Sequence, residues 1–208
     1  MKLRTRLERV AIIALVALLS QFTAPTAVSA QDEAAWVLQP HRSLLRFQTI
    51  KNGAIIETNS FRKFDGTITE HGTAQINIAL DSVDTKVDLR NVRLRFLFFE
   101  TFKFPTASIN AQLDPSIYDE LLIKEHLTFP IRFSLNLHGV TKRRLTDVIV
   151  TMINVDTISV ATVSPVIIAA SDFALGAGIE ALKETANVDI VPVGLVTLNF
   201  VFGRKLSN

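Results

Sequence analysis

The chain of 208 residues contains no cysteine. That excludes a disulfide scaffold, a cysteine-ligated metal and an N-terminal lipid-modified cysteine. Tryptophan and tyrosine are nearly missing too, with one of each, Trp36 and Tyr118. An outer-membrane barrel carries aromatic girdles at both interfaces, and two such residues do not make them. Motifs that carry chemistry are equally scarce. His41, His71, His126 and His138 show no ligand spacing with one another or with a carboxylate. His71 and His138 each precede a glycine, and all four histidines are read as turn or surface residues. There is no Gly-x-Ser-x-Gly elbow and no phosphate loop. Gly176-Ala177-Gly178 lacks the third glycine of a dinucleotide fingerprint and reads as a flexible loop. Asp65, Glu70, Asp81 and Asp84 fall at turn or outward positions and read as solvated. Acid pairs form in space rather than in sequence, so acid–base chemistry stays open.

The apolar content begins at the N-terminus. Lys2, Arg4, Arg6 and Arg9 precede an unbroken apolar run, Val10 to Leu19, and a small-residue tail ending Val28-Ser29-Ala30. This is the layout of a secretory signal peptide, with cleavage expected after Ala30. The apolar run is about half of the roughly 20 residues that a spanning helix needs. Residues 1–30 carry four basic residues and one acidic residue, a net of +3, so the chain's +2 becomes −1 for residues 31–208. The basic character therefore belongs to the leader, and nothing electrostatic in the remainder asks for nucleic acid. Lys142-Arg143-Arg144 reads as a solvated turn. The expected location is the periplasm or the exterior, and the 178 residues of 31–208 suit one domain with a sizeable core.

The dominant period in that domain is two. Ile76, Ile78 and Leu80 alternate with Gln75, Asn77 and Ala79, and Ala107, Ile109, Ala111 and Leu113 with Ser108, Asn110 and Gln112. Leu127 to His138 and Val196 to Phe202 alternate in the same way. One-sided alternation predicts antiparallel strands with one buried face. Further strands are predicted near 36–39, 44–50, 54–59, 63–70, 145–153, 157–162 and 165–170. Asn52-Gly53, His71-Gly72, Asp114-Pro115 and His138-Gly139 supply turns between strands. Many strands with short connections predict a sandwich or a closed barrel. Two helical interruptions are predicted. One spans 87–99, where Leu89, Val92, Phe96 and Phe99 make a helical stripe, and the other lies near 178–186.

Phenylalanine is what the chain has in quantity. Five of the fourteen lie between Phe96 and Phe104: Phe96, Phe98, Phe99, Phe102 and Phe104. Each aromatic side chain buries roughly 150–250 Å². The cluster must therefore fill a core or line an apolar cavity, and composition admits both. Phe47, Phe61, Phe64, Phe96, Phe98, Phe99, Phe102, Phe104 and Phe133 are the candidate wall residues.

Several segments, in order, resemble the YceI-like family of exported proteins. They are Ser60-Phe61-Arg62-Lys63-Phe64-Asp65-Gly66, Ser82-Val83-Asp84-Thr85, Arg90-Asn91 and Phe98-Phe99-Glu100-Thr101-Phe102-Lys103-Phe104-Pro105-Thr106. Leu137-His138-Gly139-Val140-Thr141-Lys142 and Ser171-Asp172-Phe173-Ala174-Leu175 follow. The resemblance implies an all-β fold for residues 31–208, an extended eight-stranded antiparallel lipocalin-like barrel with one or two short helices. It also implies a long apolar cavity for an isoprenoid or similar amphiphilic lipid, a homodimer, no enzymatic activity and no cofactor. The chain departs from the family pattern at Ser60, where glycine is usual, and at Asn91, where an acid is usual. Phe96 and Leu97 stand in place of a polar Ser-x-Asp. These changes make the segment more apolar than the family pattern.

Three functions fit. The first is a soluble, non-catalytic lipid-binding barrel. The second is a hydrolase or isomerase acting on an apolar substrate in the same cavity, which needs a polar constellation inside the barrel. The third is an outer-membrane barrel, against which stand the missing girdles and the polar end after Phe202.

Overall fold

Alternating strands with one apolar face must close on themselves or pair with a second layer, and here they close. The fold is that of a computed structural model, which describes residues 34–205. The expected signal peptide, residues 1–30, lies outside the described residues. The described residues form one compact unit around its own core.

Twelve strands are present among the described residues: β1 (Ala34–Leu38), β2 (Leu44–Lys51), β3 (Ile55–Phe61), β4 (Phe64–Thr69), β5 (Thr73–Ala79), β6 (Val83–Asp84), β7 (Thr106–Gln112), β8 (His126–Leu137), β9 (Val140–Asn154), β10 (Thr157–Thr162), β11 (Val166–Ala169) and β12 (Val193–Arg204). Eight of them close an antiparallel ring in the order β1-β4-β5-β7-β8-β9-β10-β12, with β12 pairing back to β1. The remaining four continue their neighbours past a kink. β12 runs the whole length, pairing with β1 and β10 through its C-terminal half and with β2 and β11 through its N-terminal half. The strands therefore form one elongated barrel of the kind the sequence predicts.

Each kink breaks the ladder, and a hydroxyl side chain repairs it. Ser43 Oγ donates to the Gln39 carbonyl at 2.8 Å and accepts from the Val201 amide at 2.9 Å. Ser82 Oγ donates to the Ala79 carbonyl at 2.6 Å and accepts from the Lys63 amide at 3.0 Å. At the bend from β10 to β11, Thr162 Oγ1 accepts from the Leu198 amide at 3.3 Å. Buried backbone groups demand such partners, and without them the strands could not bend in the interior.

Among the described residues three α-helices interrupt the strands: α1 (Asp88–Arg93), α2 (Ile117–Lys124) and α3 (Gly176–Ala186). A π-helical turn, Leu94–Phe98, continues α1. α2 is not predicted by the sequence, where Asp114-Pro115 marks only a turn. Two further readings are corrected. Gly176-Ala177-Gly178 is the first turn of α3, not a loop. Lys142-Arg143-Arg144 lies in β9 opposite Leu135, Ser134 and Phe133, because the turn is complete at His138 and Gly139, two residue pairs before Lys142. There φ is +52° at His138 and +75° at Gly139, the positive values a two-residue hairpin needs.

Candidate functional site: a two-chambered apolar cavity

The inward faces of the strands do not meet at the barrel axis. They leave two cavities of about 340 Å³ and 170 Å³. Ile109, Phe133, Val166 and Leu198 line both, so the chambers meet at a waist made of these four side chains. The larger chamber lies toward the end where β7 leads through α2 into β8, called the upper mouth below. The smaller lies toward the end held by α1, its π-helical turn and α3, called the lower mouth.

The upper chamber is walled by Ile76, Phe129, Val148, Phe200 and Phe202, with Leu121 of α2 closing over it at 1% exposure. Polar groups gather at its rim. The Arg204 guanidinium lies 5.1 Å from the Tyr118 ring and 5.8 Å from that of Trp36. Its Nη1 donates to the Tyr118 hydroxyl at 3.1 Å, and that hydroxyl donates to the Val155 carbonyl at 3.2 Å. Glu70 and Asp114 share the rim. The Ser116 amide and hydroxyl beside Asp114 hold its carboxyl below the usual range.

The lower chamber is lined almost wholly by apolar side chains. A file of four rings runs along it, with centroids 5.3 Å apart from Phe47 to Phe61, 5.8 Å from Phe61 to Phe99 and 4.8 Å from Phe99 to Phe98. Helix α3 presses onto the π-helical turn at Gly178, where a Cβ would stand 2.8 Å from the Leu97 carbonyl oxygen. Thr85 and Asn91 fix the start of α1, since Asn91 Oδ1 accepts from the Thr85 amide at 2.8 Å and from its hydroxyl at 2.7 Å. Asn91, a departure from the family pattern, is thus a buried positioning residue. Beside the mouth, Glu100 accepts from Lys103 Nζ at 2.9 Å and meets His138 Nε2 at 3.0 Å. Lys103 first, then His138, hold the Glu100 carboxyl below the usual range. His138 occupies the turn that its sequence context predicts, but it is largely buried rather than solvated.

The nine candidate phenylalanines divide. Phe47, Phe61, Phe98 and Phe99 line the lower chamber, and Phe133 lines both. Phe64 lies on the buried face of β4 and packs against Phe200 at 5.4 Å, part of the core rather than of either chamber's lining. Phe104 packs against His138, ring centroids 4.2 Å apart and planes tilted by 52°, and covers the hairpin turn at Gly139. Phe96 and Phe102 face solvent at 58% and 66% exposure. The stripe of Leu89, Val92 and Phe96 is therefore an outward face, and only Phe99 of that set is buried. Phe129, Phe200 and Phe202 line the upper chamber and are not among the nine. Their signal was the same alternation that marks β8 and β12.

A closed eight-stranded antiparallel barrel around an apolar cavity defines a lipocalin-like barrel. A family profile described as the YceI-like domain matches residues 36–196, and the chain belongs to the YceI-like family. Among solved structures, a polyisoprenoid binding domain from Saccharophagus degradans, implicated in plant cell wall breakdown, shares 31% identity. The match covers 83% of this chain and all of that one, with a TM-score of 0.80. BcnA from Burkholderia cenocepacia shares the fold at 17% identity, covering 79% of this chain and 98% of that one, with a TM-score of 0.62. No curated protein matches the chain.

Proposed function

We propose that this is an exported, non-catalytic binding protein that holds an isoprenoid or similar amphiphilic lipid inside the barrel. The observation that carries the reading is the pair of apolar chambers that share Ile109, Phe133, Val166 and Leu198 as lining, so that the barrel is hollow on both sides of Phe133 rather than filled. The polyisoprenoid-binding relative at 31% identity supports the ligand class. Burial of a tail contributes about 25 cal/mol per Å² of apolar area, less the cost of ordering it. The tail runs through both chambers, ending in the lower one, and the polar rim at Arg204 and Tyr118 takes the head.

The distribution of charge supports binding without catalysis. Glu70, Asp114 and Arg204 at the upper rim and Arg46 at the lower chamber are the charged lining residues, and each is exposed. A hydrolase or isomerase would need an acid, base or nucleophile set deep against the substrate. The outer face supports a barrel that works in water. Gln75, Asn77, Asn110, Arg132 and Asn136 point away from the apolar interior, the inverse of an outer-membrane barrel. The leader-like residues 1–30 support export, and a mature protein beginning at Gln31 checks it. Native mass spectrometry of protein purified under mild conditions tests the binding. A lipid adduct is expected, and a protein that carries no lipid and takes none from a membrane extract overturns the reading.

A further inference from the structure

The lower mouth carries an apolar face that no described residue covers. Val87, Leu89, Val92 and Phe96 are all exposed along α1 and its π-helical turn. That turn has two sides, with Phe96 in solvent and Phe98 in the cavity wall, so the face and the lower chamber are continuous through one turn of helix. The segment itself is basic, whereas α3 beside it holds Glu180 and Glu184 against Lys183. Residues 86–103 hold Lys86, Arg90, Arg93, Arg95 and Lys103 against Asp88 and Glu100, a net of +3 in a domain whose residues 31–208 sum to −1. Arg90 is tied to Glu57 and Lys103 to Glu100, whereas Lys86 and Arg93 have no ion-pair partner among the described residues.

We infer that this face docks the barrel on an anionic lipid bilayer, with the lower mouth turned toward the membrane. Exposed Leu, Val and Phe interleaved with Arg and Lys is the chemistry of an element lying in a lipid interface, where apolar burial and attraction to anionic headgroups add. The opposite mouth argues for the same polarity. Residues 113–126 hold Asp114, Asp119, Glu120 and Glu125 against Lys124, a net of −3 that an anionic surface repels. It too exposes apolar groups, Leu122 and Ile123, the latter at 82%, but without the positive charge. Docking in this orientation sets the mouth nearest the tail end against the bilayer, so that the tail passes between bilayer and barrel beneath α1 without meeting bulk water. The inference rests on the lipid-holding function proposed above and names where that lipid is exchanged.

The test is flotation of residues 31–208 with phosphatidylcholine vesicles, with and without phosphatidylglycerol, at low and high salt. Binding is expected only with phosphatidylglycerol and is weakened by salt. A Leu89→Ser/Phe96→Ser variant and a Lys86→Gln/Arg93→Gln variant should each lose roughly tenfold or more in vesicle binding. A Leu122→Ser/Ile123→Ser variant should bind as wild type does. All substituted side chains are exposed or half-exposed, and circular dichroism confirms that each variant is folded. Equal loss in the upper-mouth variant, or no binding by wild type, overturns the inference. So does a dimer in sedimentation velocity that Leu89→Ser/Phe96→Ser dissolves, since that assigns the face to a second copy. Native mass spectrometry on the same samples separates the two claims. Lower-mouth variants that keep their lipid but lose vesicles support docking. Wild type that binds vesicles and carries no lipid overturns lipid holding while upholding the docking surface.

Discussion

The two mouths of the barrel use one device with opposite chemistry. Each is closed by a short helix inserted between strands, α2 above and α1 with its π-helical turn below. The helix sends some apolar groups inward and leaves others in solvent. Above, Leu121 goes in while Leu122 and Ile123 stay out. Below, Phe98 and Phe99 go in while Phe96 stays out. Residues 113–126 above carry −3 beside a polar rim, whereas residues 86–103 below carry +3 beside a file of phenylalanine rings. This asymmetry is what the proposed function asks of a barrel that holds a molecule with a polar and an apolar end.

The comparison breaks first if the two plugs are not equally structural. Phe99→Ala removes a ring wedged between Phe61 and Phe98 at 5% exposure and should cost about 3–5 kcal/mol. Leu121→Ala should cost about 2–5 kcal/mol by the same loss of buried contact. Urea denaturation measures both, and a silent Leu121→Ala would show that α2 rests on the barrel without closing it. Lipid uptake by the two variants sharpens the contrast, with the larger loss expected for Phe99→Ala because its ring lines the chamber in which the tail ends.

Gly178→Val comes next. The added side chain collides with the Leu97 carbonyl and with Phe98, so it should push α3 off the π-helical turn at a cost of about 1–3 kcal/mol. The lower mouth should then release lipid faster, while the upper mouth's Trp36–Tyr118 contact stays intact and Trp36 fluorescence without ligand is unchanged. Tyr118→Phe is smaller. It removes the hydroxyl that joins Arg204 to the Val155 carbonyl and should cost about 0.5–1.5 kcal/mol. Weaker retention of lipids with polar heads, and unchanged retention of a headless hydrocarbon, would assign the rim to the head.

The smallest effect is electrostatic and lies beside the lower mouth. Because the Glu100 carboxyl is held below its ordinary range in the folded protein, its stabilising contribution is present above that range. It is lost as pH falls through the lowered value. Glu100→Gln should therefore be slightly less stable than wild type at neutral pH and equal to it in acid, as read by denaturation at both. A difference that persists in acid would mean that the substitution disturbs packing at His138 rather than charge.

What the sequence discloses and what it hides follow from range. The strands are legible because alternation is local, and β8 and β12 can be read almost residue by residue. The kinks are not, because Ser43, Ser82 and Thr162 bond to amides of Val201, Lys63 and Leu198, brought together only by folding. The lower chamber is half legible. Crowding from Phe96 to Phe104 points to it, but crowding does not say which way a ring faces. The π-helical turn then puts Phe96 and Phe98 on opposite sides. The upper chamber escapes notice because Phe129, Phe200 and Phe202 are dispersed along two strands far apart in sequence. Helix α2 escapes because eight residues with Ile117 and Leu121 inward make too short a stripe to stand out from a turn.

The central claim is that one tail occupies both chambers through the waist at Ile109, Phe133, Val166 and Leu198. A crystal structure of the protein purified with its own lipid tests it most directly. The account predicts continuous tail density from the rim at Tyr118 and Arg204, past Phe133, to the ring of Phe98. A waist closed by Phe133 with both chambers empty, or density confined to the outer surface, would contradict it.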